Sequence, residues 1–70
     1  MAKVNDIVTY ENQDGLVKIQ LIKPMFMMIG FQIWKAKVLE ITKKASLGVN
    51  PKVGKMIDIS ERWFRREAKV

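Results

Sequence analysis

The stretch Phe31-Gln32-Ile33-Trp34-Lys35-Ala36-Lys37-Val38-Leu39-Glu40-Ile41-Thr42-Lys43-Lys44 decides the fold. Phe31 and Ile33 share one side of an extended chain. Trp34, Ala36 and Val38 then share the opposite side, with Lys35 and Lys37 pointing away from them. Next Leu39 and Ile41 become the apolar pair while Glu40 and Thr42 turn outward. Period two marks a half-buried strand. An unbroken strand facing one core would not change phase twice, whereas a β-bulge adds one residue and flips every later side chain. Long bulged strands are how small sheets curl. A helix over residues 33–44 is the alternative, and the β-branched and aromatic residues at its apolar positions disfavour it.

On the N-terminal side, Val4 to Tyr10 mixes β-branched and aromatic residues and runs into the polar stretch Glu11 to Gly15. That is a strand followed by a turn, with the Asp14-Gly15 pair suited to positive φ and a hairpin expected. From Leu16 the chain alternates again, Val17, Ile19 and Leu21 against Lys18 and Gln20. On the C-terminal side, Ala45 to Gly54 holds Gly48, Asn50-Pro51 and Gly54 and reads as a loop, and Met56 to Ile59 resumes the alternation. Ser60 can cap a short helical turn over 60–63, although Trp63 stands where a capping box would place Glu or Gln. A closing strand over residues 64–70 is the expectation, and a helix to Val70 its alternative. Five short apolar segments between polar turns predict an all-β fold, a small five-stranded barrel with a short helical turn before the last strand, as a single domain over residues 1–70. Closure would remove sheet edges that so short a chain cannot easily cover.

A chain of 70 residues buries only about 60% of the surface that its unfolded form exposes, so its core must use nearly every large apolar residue. There is no cysteine and no histidine, which removes disulfides, thiolate metal sites and the commonest general base. The carboxylates are scattered and the glycines isolated, without the phosphate-cradling spacing of a Walker loop. No catalytic residue, metal, cofactor or small-molecule substrate is expected, and the protein is read as a non-enzyme. The longest charge-free run, Pro24 to Trp34, has eleven residues against the roughly 20 that a spanning helix needs. With no secretory signal at the start, no membrane partner and a cytoplasmic location are the expectations.

The segment order resembles the small five-stranded barrels of the Src-homology type, including their KOW and Tudor-like relatives. Val4-Asn5-Asp6-Ile7-Val8 resembles the V-G-D-x-V opening of many such domains, with Asn5 in place of glycine. Ile57-Asp58-Ile59-Ser60-Glu61-Arg62-Trp63 resembles their strand-to-turn exit. The resemblance covers both ends of the chain and leaves residues 23–52 unmatched. It implies a fold, and the same barrel serves nucleic-acid, peptide and structural roles. An aromatic cage of the Tudor kind would need three or four convergent rings, from the six aromatic residues of this chain.

Two features carry function. The first is charge: residues 1–34 balance three lysines with three acids, and the whole surplus of +6 arises in residues 35–70. A one-sided positive field suits a polyanion. The leading expectation is contact with RNA or DNA through Lys35, Lys37, Arg62, Arg65 and Arg66, with Trp34 or Trp63 as a stacking platform. The plainer alternative has Trp63 and Phe64 plugging the end of the barrel while the arginines are solvated. The second feature is Pro24-Met25-Phe26-Met27-Met28-Ile29-Gly30, whose methionines make a soft, adaptable surface. Met25, Phe26, Met27, Met28 and Phe31 are the candidate contacts with a protein partner or a second copy, unless the stretch bends through the core. A small assembly subunit of this kind is analogous to accessory proteins of viruses and mobile elements.

Overall fold

The first turn of the chain is tied by its own polar groups. The backbone N–H of Lys3 donates to the Asp6 carboxylate at 2.8 Å, and the Asp6 N–H donates to the Lys3 carbonyl at 3.1 Å. Asn5 sits between them at φ 72°, in the left-handed region that asparagine tolerates better than most L residues. That geometry suits an asparagine at position 5. It also delays the first strand, expected from Val4, until Ile7.

The computed structural model describes residues 2–46 and 50–65. They form four strands, β1 (Ile7–Asn12), β2 (Gly15–Met28), β3 (Phe31–Lys43) and β4 (Met56–Ser60), followed by a 3₁₀ turn at Glu61–Trp63. The strands make one sheet in the order β1-β2-β3-β4, each neighbour antiparallel. The β1–β2 turn is tighter than expected, because Glu11 and Asn12 pair with Leu16 and Gly15. The positive φ falls on Gln13, at 57°, and not on Asp14-Gly15. Residues 45–46 and 50–54 lie outside the strands, as expected of a loop, residues 47–49 of that loop lying outside the described residues, and the helical turn after Ser60 lies where the sequence places it. Ser60 Oγ accepts the Arg62 N–H at 3.2 Å as the turn's cap.

The register of β2 against β3 shifts four times. Ile22 and Met25 are extra residues on β2, and Leu39 and Thr42 are extra residues on β3. Each such bulge adds local twist and resets which side chains face the core. Of the two phase changes expected in β3, the one at Val38/Leu39 is a β3 bulge. The one at Ile33/Trp34 needs correction: β3 alternates unbroken there, so Phe31 and Ile33 face away from Trp34, Ala36 and Val38, and the nearby extra residue, Met25, is on β2.

One face of the sheet carries the core, formed by Tyr10, Val17, Ile19, Leu21, Trp34, Ala36 and Val38, with Val8, Ile41, Ile57, Ile59 and Phe64 packed against it. Fully burying side chains the size of Val17, Ile19, Leu21 and Val38 is worth about 1.5–3 kcal/mol each. Among the described residues the fold is all-β with four strands, and their sheet is not closed into the five-stranded barrel expected from the sequence. After the 3₁₀ turn the chain returns to β1 at a single bridge, Tyr10 to Phe64, and the Arg65 N–H donates to the Thr9 carbonyl at 2.7 Å. The rest of the expected fifth strand, residues 66–70, lies outside the described residues.

Candidate binding surface

Strands β2 and β3 outrun their neighbours. β1 pairs with β2 only as far as Gln20, and β4 pairs with β3 only as far as Ile33, so the end of the β2–β3 hairpin stands beyond the rest of the sheet. It closes through the pair Met28–Phe31 and a two-residue loop, Ile29-Gly30, with φ 51° and 80°. Positive φ at both loop positions is the geometry that matches strand twist in a tight hairpin. Met25, Phe26, Met27, Met28, Ile29 and Phe31 are all exposed, and Ile29 at the apex is 86% exposed. The segment therefore neither bends through the core nor buries one of its faces. All five residues expected as a protein interface are gathered in this projection.

Residues directly opposite each other on antiparallel strands project to the same face. On the face away from the core the β2–β3 rows run Lys18–Glu40, Gln20–Lys37, Lys23–Lys35, Phe26–Ile33 and Met28–Phe31. Asp58 stands opposite Lys35 on β4, and Ser60 opposite Ile33. Lysine rows thus give way, toward the apex, to apolar rows. Lys18 pairs with Glu40 at 3.7 Å, the one ion pair among the described residues. The next pairs alternate face, so Met27, opposite Gln32, lies on the core side of the projection. The Gln32 side-chain amide donates to the carbonyls of Phe26 (3.2 Å) and Ile33 (2.9 Å), covering backbone acceptors beside the Met25 bulge.

The 3₁₀ turn adds a flank. Trp63, 53% exposed, borders a cleft of about 150 Å³ with Met28, Phe31, Ile33, Ser60 and Arg62. On its other side it borders a cleft of about 300 Å³ with Tyr10, Asn12 and Ile59. The Arg62 guanidinium lies over the Trp63 ring, 5.5 Å from its centroid. Burial pushes the Tyr10 phenol above its usual 10.0.

No family model, curated protein or solved structure matches this chain.

The residues expected to contact nucleic acid are only partly brought together. Lys35 and Lys37 share the outer face with Lys18 and Lys23, so the cationic face is larger than the expected site. Arg62 joins Trp63 beside the apolar projection. Arg65 lies elsewhere, in a cleft of about 200 Å³ with Glu11, Asp14 and Lys43 at the β1–β2 turn. Arg66 lies outside the described residues. Trp34 needs correction as a stacking platform: it is 5% exposed, and its indole donates to Glu61 Oε1 at 2.7 Å. Its phase with Ala36 and Val38 was the signal that it belongs to the core. Of the two C-terminal aromatics, Phe64 packs on the core and Trp63 does not. Among the described residues, no three acidic side chains gather as metal ligands would, and no helix is long and apolar enough to cross a membrane.

Proposed function

We propose that the protein is a non-enzymatic docking module whose contact element is the β2–β3 hairpin. The observation that carries this reading is the run of six large apolar side chains, Met25 to Ile29 and Phe31, exposed together on a projection past the core. Solubility selects against contiguous exposed patches of this kind, so they mark interaction sites. The test replaces Phe26→Ser and Met28→Ser together. The double variant should unfold at the wild-type urea midpoint and lose retention on a phenyl matrix. A large fall in the midpoint would make the hairpin part of the fold's own stability and end the docking reading.

A second reading, contact with RNA or DNA, is favoured by the rows of Lys18, Lys23, Lys35 and Lys37 on one face. Binding would be mostly to phosphates, so Lys35→Gln with Lys37→Gln should reduce the slope of log affinity against log salt by about two. Labelled single-stranded and double-stranded oligonucleotides at two ionic strengths check it. No binding at low salt would remove it.

For the fold, we infer a small Src-homology-like barrel. The return of Phe64 and Arg65 to β1 supports it, since that step would begin a fifth strand beside the first.

A further inference from the structure

We propose that the β2–β3 hairpin docks on an anionic lipid surface, its apex entering the interface and its lysines resting on the headgroups. The inference rests on the docking reading above and names the partner. Three observations carry it.

The first is shape. Phe26, Met28 and Phe31 line one face of the projection, Met27 lies on the other, and Ile29 caps the end. A flat protein surface, or a second copy across a two-fold axis, covers one face of such a wedge and leaves the other in water. A lipid interface surrounds it. Pro24, on the free edge of β2 beyond its pairing with β1, has no N–H to offer, which disfavours edge-to-edge strand addition. Gln32 already satisfies two carbonyls near the apex, lowering the cost of taking that backbone out of water.

The second is charge. Lys23 and Lys35 stand directly opposite each other immediately behind the apolar rows, a like-charge pair that is unfavourable in isolation, with Asp58 on the other side of Lys35. Lys37 lies one row further back and Arg62 at the flank. The lysine pair is five residues from Met28, roughly 16 Å of strand. An amphipathic element buries its apolar part roughly 5–10 Å into the headgroup and acyl boundary, which leaves the lysine backbones outside that boundary, with flexible side chains that reach toward the headgroup phosphates. Docking of this kind needs no spanning segment, so the eleven-residue limit of the charge-free run does not bear on it.

The third is Ile29 itself. It occupies φ 51°, where a β-branched residue is strained and Asn, Asp or Gly is preferred. A strained isoleucine at the apex that buries little of itself against the fold supplies apolar depth where the hairpin enters lipid.

The test is co-sedimentation of the full chain with vesicles of phosphatidylcholine alone and of an equimolar phosphatidylcholine and phosphatidylserine mixture, with light scattering of the free protein. The wild type should bind the mixed vesicles and not the neutral ones. Ile29→Asn should lower affinity by more than about tenfold, and Lys23→Gln and Lys35→Gln by about fivefold each. Thermal unfolding confirms that each variant is folded. Equal binding to both vesicles, or loss with the lysine variants alone, would overturn the proposal, the second outcome leaving surface adsorption without insertion. So would no vesicle binding by a protein that forms a dimer dissociated by Ile29→Asn, since a second copy would then be the occupant. In that case the docking reading stands. It falls only if the hairpin substitutions unfold the protein.

Discussion

The indole N–H of Trp34, a buried member of the core, donates to a carboxylate oxygen of Glu61 at 2.7 Å, joining β3 to the first residue of the 3₁₀ turn. The bond explains why a three-residue turn is held in one place. It aims the exposed pair Arg62 and Trp63 at the base of the apolar hairpin. A buried donor that loses its acceptor carries its full desolvation cost, and bonds to charged groups are worth about 1.5–3 kcal/mol. Glu61→Leu should therefore lower stability by about that amount in urea unfolding. Trp34→Phe in the same background should cost less than in the wild type, because the orphaned donor is gone. Additive losses in that double-mutant cycle would show that the two side chains do not act as a pair.

Gly15 follows one hairpin turn and Gly30 lies within the other, and they are glycine for different reasons. A Cβ on Gly15 would lie 2.6 Å from the Ala45 nitrogen and 2.8 Å from the Lys43 carbonyl. These are backbone atoms that cannot step aside. Gly30 has open space around it and φ 80°. Gly15→Ala should destabilise by about 1–3 kcal/mol through overpacking, and Gly15→Asn by at least as much. Gly30→Ala should cost about 1–2 kcal/mol from its left-handed backbone alone, while Gly30→Asn stays near neutral. If asparagine is tolerated at Gly15, close packing against the loop is not the reason for that glycine.

Much of this fold is legible in the alternation of residues 16–21 and 31–43, because a strand with one buried face writes its orientation into every second residue. The phase change at Val38/Leu39 is legible for the same reason. The extra residues on β2 are not: Ile22 and Met25 reset the pairing, and a pattern read along β3 is blind to its partner. Met25 to Phe31 is recognisably too apolar for a strand with one wet face. Its projection beyond the core depends on where β1 and β4 stop, which is a long-range property. Arg62 and Arg65 look alike in sequence, yet one lies by the hairpin and the other by the β1–β2 turn, because the 3₁₀ turn and the bridge at Phe64 rotate the chain between them.

The Asp14 carboxylate accepts the Ser46 N–H at 2.9 Å and also the Ser46 hydroxyl, clipping the long loop to the β1–β2 turn. The Ser46 hydroxyl, then the Ser46 N–H, hold the Asp14 carboxyl below its ordinary 3.8. A depressed folded value means that the unfolded chain binds the proton more tightly. The contribution is therefore complete above the unfolded value and is lost as pH falls through the folded one. The wild-type melting temperature should decline on acidification below about pH 4 more steeply than that of Asp14→Asn. Ser46→Ala should flatten the acid limb in the same way. Parallel acid limbs in all three proteins would separate the clip from acid stability.

Ile29 offers the sharpest stability test, because its two properties pull in opposite directions. At φ 51° the isoleucine backbone is strained, and at 86% exposure its side chain buries almost nothing in return. Asparagine fits the same turn without that strain. Ile29→Asn should therefore stabilise the fold by about 1 kcal/mol, which for a domain of this size raises the melting temperature by roughly 4–8 °C. Ile29→Val keeps the β-branch and should leave the temperature where it is. The variant that melts higher should be the one that docks worse, the trade expected where a site keeps a residue that its own backbone disfavours. A fall in melting temperature for Ile29→Asn would mean that Ile29 contributes to folding through contacts of its own, and the case for a strained apex residue retained for docking would be lost.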